Sequence, residues 1–159
     1  MANISKYRLK QEGEFYYVIA LEASCCPICG EVLILRGYRK RTLIELVDGY
    51  EQRIILIIRR LRCEKCNRIH HELPECVVPY KRHCAEIIEK ITSGSGKKVF
   101  EIRFISRIMA WWSAVLPYFL NILKTLAQKH GTFYQDTPAF NAIIRAAVNS
   151  NNWVFAHSI

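Results

Sequence analysis

Aspartate is nearly missing from this chain. Asp48 and Asp136 are the only two in 159 residues, one beside a glycine and one just ahead of a Thr-Pro pair. Phosphoryl transfer on paired divalent metals needs several carboxylates converging on one place. Two distant aspartates, with glutamates on expected helix surfaces and strand ends, do not supply that. There is also no P-loop, no Gly-x-Ser-x-Gly elbow, and no spaced His-x-His with a catalytic tyrosine. The expectation is a protein that is not an enzyme.

Other absences narrow the class further. The opening MANISKYRLKQEGEF has no apolar h-region, so no secretory signal is read there. The only candidate membrane span, residues 104–123, is interrupted by Ser106, Arg107, Ser113, Pro117 and Asn121. Its apolar residues recur at helical spacing, which makes it a core helix. No membrane partner and a cytoplasmic location are expected. With 51% hydrophobic and 23% charged residues the composition is that of a folded chain, not a disordered one.

Cysteine, by contrast, is plentiful. Seven is an odd number, and without a secretory context reduced thiols holding a metal are favoured over a disulfide framework. Four of the seven form two Cys-x2-Cys pairs: CPICG contributes Cys26 and Cys29, and RRLRCEKCN contributes Cys63 and Cys66. Each pair folds as a tight knuckle that aims two sulfurs at one ion, and two knuckles complete a tetrahedral zinc site. Pro27 and Gly30 in the first knuckle, and Asn67 after the second, suit the turns this requires. One structural Zn²⁺ on Cys26, Cys29, Cys63 and Cys66 is expected; the alternative is four unrelated cysteines. The 33 residues between the pairs are too many for a compact finger and fit a zinc ribbon. Of the rest, Cys25 could stand in for Cys26 in a variant, and Cys76 and Cys84 read as small buried residues. His70 and His71 are adjacent, so on a strand they point to opposite faces. They read as edge or surface residues, unless one replaces a cysteine ligand.

The intervening sequence reads as strands. FYYVIAL (15–21) leads into the first knuckle, and VLILRGYRKR turns near Gly37. TLIEL ends at Asp48-Gly49, a hairpin signal. QRIILIIRRLRC then runs into Cys63, with Ile54, Leu56 and Ile58 on one face and Ile55 and Ile57 on the other. A strand apolar on both faces must be covered on both sides. Pro74 and Pro79 mark a connector. From Tyr80 the period becomes helical. Cys84, Ile87, Ile88 and Ile91 form a stripe over about 81–92, and SGSGKK breaks that helix. A long amphipathic helix starts near Glu101, is kinked or split at Pro117, and stops at Gly131. Thr137-Pro138 opens a last helix over about 138–149 that buries Phe140, Ile143, Ile144, Ala147 and Val148. Trp153 and Phe155 in the tail are expected to dock.

The fold class expected is therefore α+β: an antiparallel N-terminal zinc ribbon over residues 1–79, then a helical helix-turn-helix-like domain over 80–159. Formal charge is +9. Four thiolates with one zinc ion subtract two, leaving about +7. Residues 1–80 hold 13 Lys/Arg against 10 Asp/Glu and residues 81–159 hold 10 against 4, so the positive field lies in the second half. That favours a polyanion partner there. In helix-turn-helix geometry the helix from Glu101 would enter a major groove with Arg103, Ser106 and Arg107 outward, and Lys97 and Lys98 would meet phosphates. Duplex DNA is the expected partner. An RNA-binding module and a dimerising interaction module, the latter using Trp111, Trp112, Tyr118 and Phe119, are the alternatives.

The series CPICG, RRLRCEKCNRIHHELP and VPYKRHCAEIIEKI resembles a bacterial zinc-ribbon/helix-turn-helix family of unknown function whose members sit among transposon genes. The ribbon is similar to the N-terminal zinc-binding region of certain insertion-sequence transposases. EIRFISRIMAWW resembles the start of that family's recognition helix, and AAVNSNNW its C-terminal signature. The resemblance implies an accessory or regulatory DNA-binding factor of a mobile element, with a transposase, a recombinase or a second copy of the chain as further partners. The ending VFAHSI departs from the pattern.

Overall fold

A computed structural model describes residues 1–95 and 100–153. Six strands come first in the chain: β1 (Ala2–Ile4), β2 (Tyr7–Glu12), β3 (Phe15–Ala20), β4 (Ile34–Val47), β5 (Tyr50–Arg62) and β6 (Ile69–Pro74). Three helices follow: α1 (Ala85–Thr92), α2 (Ile102–His130) and α3 (Phe140–Asn149). The chain divides into two compact units, Met1–Ala85 and Glu86–Ile159.

In the first unit everything is built on β5. The strand that is apolar on both faces in sequence is the one with most neighbours: β4 pairs antiparallel along its whole length, and on its other edge β3 pairs parallel at Ile55–Ile57 and β6 antiparallel at Arg60–Arg62. Leu56 and Ile58 are almost fully buried, and Ile57 on the opposite face is buried too, as a two-faced strand requires. Asp48 and Gly49 both have positive φ (52° and 83°), the geometry of the tight turn that joins β4 to β5. Gly37 is not a turn. It lies at a register shift between Leu35 and Gly37, so β4 passes through it as one 14-residue strand. β2 pairs β3, β1 pairs β6 in parallel, and the six-stranded sheet curls into a half-barrel.

The expected plan, an antiparallel ribbon followed by a helix-turn-helix-like bundle, is corrected by this topology. The protein is mostly β: the knuckles are set into a six-stranded sheet that includes two parallel pairings, and three helices follow in the chain. The parallel contacts join segments far apart in sequence, which a two-hairpin ribbon does not do.

In the second unit α2 is a single helix of 29 residues, about 43 Å long at 1.5 Å per residue. Pro117 lies inside it without splitting it. The apolar stripe runs on through the proline as Ile108, Trp112, Val115, Phe119 and Ile122, all buried, so packing outweighs the local break. A recognition helix of helix-turn-helix type is short; α2 instead runs 29 residues and packs part of its stripe on α3, with Trp112 5.0 Å from Phe140. Trp153 stacks on Phe119 at 5.0 Å and is buried. Phe155 lies outside the described residues. Gly131 ends α2 with φ 63°, its N–H donating to the Gln128 carbonyl and the Thr132 N–H to the Ala127 carbonyl, as expected of a left-handed C-cap. The last helix begins at Phe140, with Ala139 rather than Thr137 at its N-cap. Its five expected core residues are all buried. Among the described residues, no helix is long and apolar enough to cross a membrane.

Candidate metal centre

The two Cys-x2-Cys segments fold alike. In the first, Cys26 N–H donates to the Glu31 carbonyl at 2.7 Å; in the second, Cys63 N–H donates to the Arg68 carbonyl at 2.9 Å. The residue after each second cysteine takes positive φ: Gly30 at 77° and Asn67 at 55°. The chain therefore reverses at the same point in both, and asparagine is among the few non-glycine residues that tolerate this. Arg62 fixes the second turn by donating from Nε and Nη2 to Asn67 Oδ1 at 3.1 and 2.6 Å. Gly30→Ala should destabilise the site by about 1–2 kcal/mol, because a Cβ would meet no atom within 4 Å and only the left-handed backbone resists it. Thermal melts of the metal-loaded variant measure this; an unchanged melting temperature would contradict it.

β3 and its exit place the first knuckle, and the turn from β5 to β6 is the second. Together they bring Cys26, Cys29, Cys63 and Cys66 so close that one sulfur from each lies within 4.8 Å of all the others. Cys26 Sγ is 3.6 Å from Cys66 Sγ, and Cys29 Sγ is 3.4 Å from Cys63 Sγ. A tetrahedron of Zn–S bonds of about 2.3 Å sets its sulfurs roughly 3.8 Å apart. These spacings match that edge and are far beyond a disulfide bond. The donor set fits a tetrahedral thiophilic cation, and the four cysteines form a possible metal site. Ala2, Leu33 and Leu61 pack with Cys26 and Cys63 to make its dry wall. The Cys66 backbone N–H draws the Cys63 thiol down to about 7, and burial pushes Cys66 up to about 12. Binding of a cation by the cluster would displace thiol protons.

From its adjacency to His71, His70 reads as an edge or surface residue unless it replaces a cysteine ligand. The structure buries it at 4% exposure with Nε2 3.4 Å from Cys26 Sγ. A thiolate can only accept, so Nε2 carries the proton in that state and donates it, which orients a ligand in the way outer-shell partners do. The signal was in the alternation. His70 and Leu61 are cross-strand partners, and Leu61 belongs to the cysteine cluster. His71 points to the other face, opposite Arg60.

A second buried device steadies the approach to the first knuckle. Glu72 is fully buried and accepts from Arg59 Nε and Nη2, both at 2.7 Å, and from Ser24 Oγ at 2.6 Å. One carboxylate thereby ties β5, β6 and the segment two residues ahead of Cys26. No motif singled it out.

The expected DNA-contacting residues fare differently. Arg103, Ser106 and Arg107 are all exposed on the first turns of α2. Lys97 and Lys98 lie outside the described residues. Met109 on the same helix is exposed at 36%. Trp111, Trp112 and Phe119 are buried, so they offer no docking surface. Cys25 is exposed and Cys84 buried; Cys76 is partly buried and hydrogen-bonds Tyr7.

Fold and site together define a β-rich protein whose curled sheet carries a cluster of four cysteines that could hold a metal ion. Residues 26–111 match a protein family described as Domain of unknown function (DUF6431), from the first cysteine of the site into α2. The match covers more than half of the chain, and the protein belongs to that family. No curated protein and no solved structure matches it.

Proposed function

We propose that this is a zinc-dependent DNA-binding protein, with one Zn²⁺ held structurally by Cys26, Cys29, Cys63 and Cys66 and duplex DNA bound along the exposed face of α2. The observation that carries the reading is the charge of that helix. Over 29 residues α2 has no acidic side chain, while Arg103, Arg107, Lys124 and Lys129 are all exposed. Arg103 and Arg107 are one turn apart on the same side, with Ser106 and Ala110 exposed beside them, so little bulk keeps the guanidinium groups from a phosphate backbone. The contact is a basic helix surface and needs no helix-turn-helix.

Zinc is preferred because all four donors are sulfur and the spacings suit a tetrahedron; four thiolates close its shell, which favours a structural over a catalytic role. A binding protein, not an enzyme, follows in this reading. Thiolate ligands suit a reducing, cytoplasmic setting. Service to a mobile element, as an accessory or regulatory factor, rests on the sequence resemblance to transposon-associated proteins alone.

Fluorescence anisotropy with duplex DNA tests the proposal. Arg103→Ala and Arg107→Ala should each weaken binding by about 1–3 kcal/mol, and the double variant should reduce the salt slope by about two. Unchanged affinity and salt dependence would remove α2 as the interface. Preference for single-stranded RNA would favour the RNA-binding reading, and a stable dimer without nucleic-acid affinity the interaction module.

A further inference from the structure

One end of the β4–β5–β6 surface collects cations that the metal site does not use. The face that carries Leu43, Ile54, Leu56 and Ile58 also carries Arg41 and Arg39, paired across to Leu56 and Ile58. His71 lies on the same face, directly across from Arg60. Arg39, Arg41 and His71, with Met1 and Lys40, border a cavity of about 290 Å³ walled by Ile58, Leu73 and Tyr80, and Arg60 stands beside it as the cross-strand partner of His71. No carboxylate lines it. Among the described residues, the Arg39 and Arg60 side chains have no hydrogen bond or ion pair. Arg41 donates from Nη2 to the Val78 and Lys81 carbonyls at 3.2 and 3.1 Å, yet its Nε is buried with no partner among the described residues.

Such an arrangement is costly without an anion. Like charges held this close raise the free energy of the fold, and a buried N–H without an acceptor adds the desolvation of that group. Burial and the neighbouring Arg39, Arg60, N-terminal and Arg41 charges hold His71 below the usual imidazole range; in either protonation state the ring has an N–H to donate.

We propose that this cavity is an oxyanion subsite that takes a phosphoryl group, held by Arg39, Arg41 and His71, with Arg60 adding charge at its rim. Planar guanidinium groups match a phosphate with paired N–H donors, and several cations without an acid suit a dianion better than a carboxylate. The cavity exceeds the bulk of phosphate alone. Ile58, Leu73 and the exposed ring of Tyr80 leave an apolar seat for what the phosphate is attached to, so a phosphate monoester is the class of ligand. That ester has two sources: the terminal phosphate of a nucleic-acid strand, or a small phosphorylated metabolite. The subsite lies on strands and is independent of α2 as an interface.

The experiment uses the full-length, metal-loaded protein, titrated with inorganic phosphate, a nucleoside 5′-monophosphate, and a short oligonucleotide with and without its 5′-phosphate. Binding is read by calorimetry and by the His71 ring resonance. Phosphate-bearing probes should bind and move that resonance, and the 5′-hydroxyl oligonucleotide should not. Arg39→Ala, at an exposed position that carries no packing, should weaken binding on the order of tenfold, and Arg39→Lys less. Arg8→Ala, on the exposed part of β2, should change nothing. Tighter binding of the phosphorylated oligonucleotide than of the mononucleotide supports the site and assigns it to strand ends; equal binding supports it as a small-molecule site. No His71 response to any phosphate probe at millimolar concentration overturns the proposal, as does an equal loss in Arg8→Ala, which would mean only diffuse charge attraction.

Discussion

Stripping the metal with a chelator, or replacing Cys63 with Ser, is expected to unfold the Met1–Ala85 unit. Cys63 has no exposed surface and no adjacent cysteine to take its place, whereas Cys26 has Cys25 beside it. Without a cation, four sulfurs within 4.8 Å must either repel as thiolates or stay protonated and loosely packed. A structural zinc in a small site is worth on the order of 10 kcal/mol, comparable with the whole stability of an ordinary domain at about 5–15 kcal/mol. On the proposed reading, the metal would decide whether the unit folds. Metal analysis of the purified protein, with far-ultraviolet dichroism and thermal melts before and after chelation, measures the effect. A Cys63→Ser protein that stays folded and melts at the parental temperature would show that the sheet stands without its ion.

The four-cysteine cluster is the most legible part of the sequence, because its information is local. Each knuckle is set by two cysteines three positions apart and by a residue, Gly30 or Asn67, able to adopt positive φ. The helix cores were legible for a similar reason. Ile87, Ile88 and Ile91 in α1, and Phe140 to Val148 in α3, are buried where a 3.6-residue period puts them. Sheet topology was not legible. The pairing of Phe15–Tyr17 with Ile55–Ile57 spans some forty residues, and no short-range pattern encodes which distant edge a strand will join. The same non-local pairing turned an expected ribbon into a six-stranded sheet, and it brought His70 to Cys26. Pro117 misled in the other direction. A local break signal was overridden because the residues on either side share one buried stripe.

Arg59 and Glu72 present the second large expected effect, and its asymmetry is the informative part. Glu72 has no exposed surface, while the Arg59 side chain is 26% exposed. Arg59→Ala leaves a buried carboxylate with Ser24 Oγ as its one remaining side-chain partner among the described residues, and it should cost on the order of 3–5 kcal/mol. Glu72→Gln keeps the shape and the hydrogen-bonding capacity of the buried group and leaves the arginine a route to water, so its cost should be smaller, about 1–3 kcal/mol. Replacing both, as Arg59→Met with Glu72→Met, removes the buried charge altogether and should recover much of the loss. Urea unfolding gives the three values and, with Arg59→Met and Glu72→Met each alone, the coupling between the residues. Equal costs for Arg59→Ala and Glu72→Gln would mean that the pair is as solvated as a surface bridge. It would then be the apolar packing of Leu61 and Leu33 around the cysteines, rather than the Arg59–Glu72–Ser24 chain, that holds the first knuckle to the sheet.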